Sequence, residues 1–286
     1  PEIPETASIG NFNFVQSNFK WNGKRGYNPD LGVREAYKQR VGNTADINLI
    51  LIAMLRESGL QANPILLSTR DHDIALYPSH SAFNYVIAAV EIQNGLILLD
   101  ATSKNSRINI LPFQALNWVG RIIRESGSSS IVELIPKILS VKNQINIIDL
   151  AADGSVTGNK RIKLTNYEAF RFREKYGQLN LQSISNSVQN DYKNIEIEEF
   201  DVKNIQNLNQ DIDISYKFKL TNVADVIGDQ IFFEPSFIFN LKSNPFLDEN
   251  RKFSVDFIYK YKESDMYAIK IPEGYKVESI PENKQF

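Results

Sequence analysis

Apolar positions recur at helical spacing in the first part of the chain and at strand spacing through most of the remainder. Residues 8–20 place Ser8, Phe12, Val15 and Phe19 on one stripe, and Trp21-Asn22-Gly23 stops that helix. A second helical segment over Leu31–Arg40 runs into a turn at Gly42-Asn43. The strongest helix follows: Asn43 or Thr44 is a natural N-cap, Asp46 complements the positive end of the helix dipole, and Gly59 supplies the stop. Between them Ile47, Ile50, Leu51, Met54 and Leu55, widened by Leu49 and Ile52, predict a central element buried nearly all round. Asn63–Ser68 and the β-branched run Phe83–Ile92 predict strands. Asn94-Gly95 predicts a hairpin that returns Leu96–Asp100 antiparallel to the preceding strand. Helices, a central helix, then consecutive strands make an α+β arrangement rather than βαβ winding.

Past the Ser-Gly-rich stretch Ser126–Ser130 the texture changes. Ile131–Ile138, Ile145–Ala151, Val156–Leu164, Ile195–Val202, Ile212–Leu220, Ser254–Tyr261 and Met266–Ile271 read as strands. In one of them Ile212, Ile214, Tyr216, Phe218 and Leu220 alternate with Asp213, Ser215, Lys217 and Lys219. Asn166–Gly177 is the helical exception. The pattern predicts two domains, 1–127 and 128–286, the second a mostly antiparallel β-sandwich.

Composition narrows the function classes. A net charge of −2 in 286 residues, with no long single-sign run, gives nucleic acid no electrostatic footing. No apolar run reaches the roughly 18–20 residues of a membrane-spanning helix. Cysteine is absent, which excludes disulfides, thiolate zinc sites and thiol nucleophiles. The start at Pro1 and the stop shortly after Tyr275–Ile280 read as cuts in a longer, processed parent.

Papain-type enzymes place a nucleophilic cysteine at the N-terminus of a central helix, a histidine on a facing strand and an acid on the next one. Gly42-Asn43-Thr44-Ala45-Asp46-Ile47-Asn48, Leu67-Ser68-Thr69-Arg70, Phe83-Asn84-Tyr85-Val86-Ile87 and Leu98-Leu99-Asp100-Ala101-Thr102 occur in that order. This chain resembles the multidomain bacterial transglutaminase-like proteins, whose papain-type core sits between β-rich domains of unknown function. The likeness continues through Leu111-Pro112-Phe113. Asn244-Pro245-Phe246, Arg251 to Phe257 and Ile271-Pro272-Glu273-Gly274-Tyr275 resemble the flanking C-terminal domain.

The resemblance puts the family's cysteine on Thr44, its histidine on Asn84 and its aspartate on Asp100. Only the last matches. A mid-chain threonine needs a strong adjacent base, and an asparagine amide cannot cycle a proton near neutral pH. The implied protein is a pseudoenzyme with a degenerate triad, no cofactor and no metal. It would be a binding or architectural module for a peptide, protein or glycan in an exported, periplasmic or cell-envelope protein. The enzymatic alternative is a hydrolase working through Thr44, or through a cysteine that threonine has replaced; a spacer without a cleft is a third. Asp71-His72-Asp73 reads as an exposed loop rather than a metal site, His80 as a cleft or solvent residue, and Arg70 as one partner of a carboxylate.

Overall fold

The computed structural model describes residues 3–72, 79, 81–192, 195–235 and 255–283. Its first unit, Pro1–Ser140 with Asp256–Lys260, starts with α1 (Ile3–Asn18), β1 (Lys20–Trp21), α2 (Val33–Gln39) and β2 (Val41–Gly42). The two short strands pair in parallel, Lys20 against Val41 and Trp21 against Gly42, and deliver the chain to α3 (Thr44–Glu57). Asn43 is the cap, so Thr44 is the first helical residue. At the other end Gly59, at φ 80°, takes the left-handed turn that a side chain would resist. From Asn43 to Asn48 every residue is at most 1 % exposed, whereas Ala53 and Glu57 face solvent. The helix is thus sealed at its N-terminal half and open on one side further on.

Five antiparallel strands follow: β3 (Ala62–Leu67), β4 (Tyr85–Ile92), β5 (Gly95–Leu99), β6 (Val119–Ile123) and β7 (Ser129–Glu133), in the order β5-β4-β3-β6-β7. The expected hairpin is present, with Ile92 opposite Gly95 and Gln93-Asn94 as its tip. Phe12 and Val15 of α1, Ile47, Ile50, Leu51 and Leu55 of α3, and Ala88, Val90, Ile97 and Leu99 of the sheet form one core. Burying these faces on each other stabilises the unit at about 25 cal/mol per Å² of apolar surface.

The Ser126–Ser130 stretch does not separate domains. It is the hairpin between β6 and β7, closed by Arg124 N–H to the Ser128 carbonyl at 2.9 Å, and β7 pairs with β6 throughout. The boundary expected at 127/128 therefore moves to Ser140/Val141. Serine and glycine mark a turn equally well whether it lies inside a sheet or between domains.

The second unit, Val141–Val255 with Tyr261–Phe286, contains β8 (Ser140–Leu150), β9 (Val156–Leu164), α4 (Asn166–Tyr176), α5 (Leu181–Asn190), β10 (Ile195–Lys203), β11 (Ile212–Leu220), β12 (Ala224–Ile227), β13 (Gln230–Phe233) and β14 (Tyr261–Lys270). One sheet runs β10-β11-β9-β8-β14, and β12 and β13 form a separate ribbon. Ala169, Phe172 and Tyr176 of α4 and Ile184 of α5 share a core with Ile212, Ile214, Tyr216, Phe218 and Leu220. Among the described residues the sheet is thus covered by helices, not by a second large sheet as a sandwich requires. Of the strands expected over Ser254–Tyr261 and Met266–Ile271, the second lies within β14 as far as Lys270; Val255–Lys260 before it is not strand, and residues 251–254 lie outside the described residues.

Candidate functional site

The three positions singled out by sequence all lie in the first unit: Thr44 opens α3, Asn84 precedes β4 and Asp100 follows β5. Around Thr44 the backbone is held from two sides. The Asn43 side chain accepts from Asp46 N–H at 2.8 Å and the Asp46 carboxylate accepts from Asn43 N–H at 3.0 Å, a reciprocal capping box. Asp46 also accepts from Gly32 N–H at 3.0 Å, and from Asp30 and Leu31 N–H at 3.3 and 3.4 Å, tying the loop before α2 to the start of α3. Gly42 fits because a Cβ there would meet the Asp46 Cβ at 2.4 Å. Thr44 itself is fully buried, and its hydroxyl donates to the Lys24 carbonyl at 3.3 Å.

Asp100 is also fully buried, with both carboxyl oxygens engaged. Oδ1 accepts from Asn48 Nδ2 at 3.1 Å, Thr102 N–H at 3.0 Å and Thr102 Oγ1 at 2.7 Å; Oδ2 lies 2.8 Å from Tyr85 Oη. Tyr85 Oη is in turn 2.9 Å from Thr102 Oγ1 and accepts from Gln114 Nε2 at 3.1 Å. Asn48, one helical turn beyond Thr44, locks this group to α3 through Ala101 N–H, which donates to its Oδ1 at 3.0 Å.

Asp100, Tyr85 and Thr102 make a closed ring of three oxygen–oxygen contacts. The two hydroxyls supply one hydrogen each, so a protonated carboxyl completes the ring. Burial pushes the Asp100 carboxyl above the usual carboxylate range, against the hydrogen bonds from Thr102 and Asn48 that favour its anion. The same burial, reinforced by the Asp100 charge, pushes the Tyr85 phenol well above its ordinary value.

Asn84 belongs to a different cluster. Its Oδ1 accepts from Thr69 N–H and its Nδ2 donates to Thr69 Oγ1, both at 2.8 Å. Thr69 Oγ1 donates to Asp71 at 2.7 Å, and Arg25 Nη1 lies 2.7 Å from the same carboxylate oxygen. The Arg25 hydrogen bond, then that of Thr69, holds the Asp71 carboxyl down at about 2. His72 Nδ1 is 2.9 Å from Ser68 Oγ; Asp73 and His80 lie outside the described residues. Arg70 has the expected carboxylate, Asp256 at 2.8 Å, and also donates to the Leu116 carbonyl at 3.0 Å.

Thr44, Asn84 and Asp100 are therefore joined by no mutual hydrogen bond among the described residues. The side chains that meet the Asp100 carboxyl are Tyr85, Thr102 and Asn48, not those of Thr44 or Asn84. Asn48 projects from the otherwise apolar α3, and no periodicity marks it as a partner of Asp100. Among the described residues no group of three His, Cys, Asp or Glu is placed to hold a metal ion, and no helix is long and apolar enough to cross a membrane.

One family description matches the chain: a domain of unknown function with a solved structure, DUF3858, over residues 229–286. No curated protein matches. Among solved structures, the chain is similar to the crystal structure of "a putative protease from Parabacteroides distasonis ATCC 8503", at 13% sequence identity and a TM-score of 0.40. The similarity covers 77% of this chain and 46% of that one, so the chain spans less than half the length of its structural relative.

Proposed function

We propose that this chain is a non-catalytic module with a transglutaminase-like, papain-type core, architectural in role, within a larger cell-envelope protein. The observation that carries the reading is the closed centre. Thr44 and Asp100 are fully buried, and the Asp100 carboxyl is occupied by the Tyr85 phenol. An orienting acid needs an imidazole at that point; here it meets a group with no basic nitrogen. The family's histidine position is accordingly better assigned to Tyr85 than to Asn84, whose amide is spent on Thr69. The order of capped central helix, antiparallel strands and hairpin return supports the core assignment. A peptide or glycan partner would bind away from the triad positions, because the nucleophile position offers no surface. Burial of the Thr44 hydroxyl also counts against a hydrolase that depends on it.

The test uses the absence of cysteine in the native chain. A Thr44→Cys variant introduces a single thiol, which a maleimide reagent should modify in denaturant but only slowly in the native protein. Rapid labelling of the native variant would overturn the closed centre. In parallel, the unaltered protein should show no turnover of a peptide library or of an amine-donor acyl-transfer substrate. Turnover that disappears in Thr44→Ala would overturn the non-catalytic reading.

A further inference from the structure

Within the first unit, an open cavity of about 480 Å³ lies where the end of α1, strand β1 and the Thr102–Lys104 segment meet. Its lining includes Lys20, Arg40 and Lys104 and no carboxylate, with Phe19 and Trp21 as apolar wall. Among the described residues none of the three cations is ion-paired.

Arg40 is the central feature. It closes α2 in the left-handed conformation at φ 59°, and its guanidinium carbon lies 4.3 Å from the Tyr37 ring centroid, 4.8 Å from Phe19 and 5.6 Å from Phe14. Three rings fix the cation electrostatically, yet ring faces do not accept the in-plane hydrogens as an oxygen does. Nη1 is buried without an acceptor, and no described group accepts from the rest of the guanidinium. Lys104 gives two hydrogens to the carbonyls of Gln16 and Phe19 at the end of α1, offsetting the negative end of that helix and leaving a third hydrogen. Lys20 stands exposed at the rim. Structural roles account for where Arg40 and Lys104 are held, but not for three cations sharing one cavity with no acid.

We infer that this cavity binds a small organic anion, its phosphate or carboxylate group seated on Arg40 and Lys104 and its apolar part against Phe19 and Trp21. A guanidinium already immobilised by aromatic rings loses little freedom on binding an oxyanion, the condition under which bidentate recognition is strongest. The site touches the buried Asp100 ring only at Thr102 and includes neither Thr44 nor Asp100.

Phenyl phosphate is the probe, titrated at low ionic strength into a Trp118→Phe background so that Trp21 alone reports by fluorescence. A saturable response is expected, weakened about tenfold or more by Arg40→Gln, where a charge-assisted contact is lost. Because Arg40 also holds the aromatic cage, Lys20→Glu provides a variant outside the core; placing a negative charge at the rim should weaken binding by roughly tenfold as well. Phenol, which lacks the anion, should give no saturable response. Absence of saturation with phenyl phosphate, equal binding by folded Lys20→Glu, or an equal response to phenol would each overturn the site.

Discussion

Tyr85 Oη lies 2.8 Å from Asp100 Oδ2, and Thr102 Oγ1 bridges the two from the other side at 2.9 and 2.7 Å. The contact makes the Asp100 carboxyl one member of a buried ring of three oxygen–oxygen contacts. The register that makes it follows from the β4–β5 hairpin: Ala88 pairs with Leu99, which brings Tyr85 level with the residues just past β5.

If the ring holds a neutral acid, Asp100→Asn should be tolerated, because an amide donates and accepts at the same two positions. Asp100→Ala should cost about 3 kcal/mol, since the Asn48 amide and the Thr102 N–H lose their acceptor in a dry site. The linked pH dependence has a defined sign. With the folded value above the unfolded one, stability is fully present below the usual carboxylate range and is lost as pH rises through the raised folded value. Denaturant melts of the wild type and Asp100→Asn across pH should converge in acid and separate on raising pH. Equal slopes, or an asparagine variant as unstable as the alanine one, would contradict a neutral carboxyl.

The entry to α3 yields a second expectation. Asn43→Ala removes an N-cap, which costs about 1–2 kcal/mol. Asp46→Ala removes the acceptor for Asn43, Asp30, Leu31 and Gly32 N–H in one change, and should cost more, about 3 kcal/mol. Chemical denaturation of the two variants gives the order directly. Gly42→Ala should also destabilise, because its Cβ would need the space of the Asp46 side chain.

What could be read from sequence was local. The α3 cap, its glycine stop and the β4–β5 hairpin are each set by a few neighbouring residues, and each is found in the structure. Strand β6 leaves little local signal because Val119–Ile123 is short and interrupted by Arg121; its place is fixed by Ile65 and Leu67, far away in the chain. Helix α5 hides Leu181, Ile184 and Val188 among serines, asparagines and glutamines, although Asn180 caps it by accepting from Ser183 N–H. The site was less legible than the fold. Tyr85 looks like any β-strand aromatic until the hairpin register sets it against Asp100, and Asn48 looks like a polar interruption until it reaches across to Ala101.

The last expectation concerns the second unit. Lys160 sits on β9 opposite Asn146 of β8 and Tyr216 of β11, and is fully buried on the sheet face that carries Ile212, Ile214 and Phe218. Burial, with a smaller push from Lys142, lowers its ammonium to about 7 against the pull of Asp265 and Glu263. In the unfolded chain the group titrates at its ordinary value near 10.5. Between those two limits the unfolded state binds more protons than the folded one, so stability rises with pH from about 7 toward 10.5. Below that window both states are charged and the full desolvation cost, roughly a few kcal/mol, weighs on the fold. Lys160→Met keeps the aliphatic stem and removes the charge, so it should raise the melting temperature at pH 6 and flatten the rise above neutrality. The comparison is a pair of thermal melts over pH 6–10. A methionine variant that is less stable at pH 6, or that keeps the same alkaline rise, would show that the ammonium is stabilised in place, with Asp265 and Glu263 as its effective counter-ions.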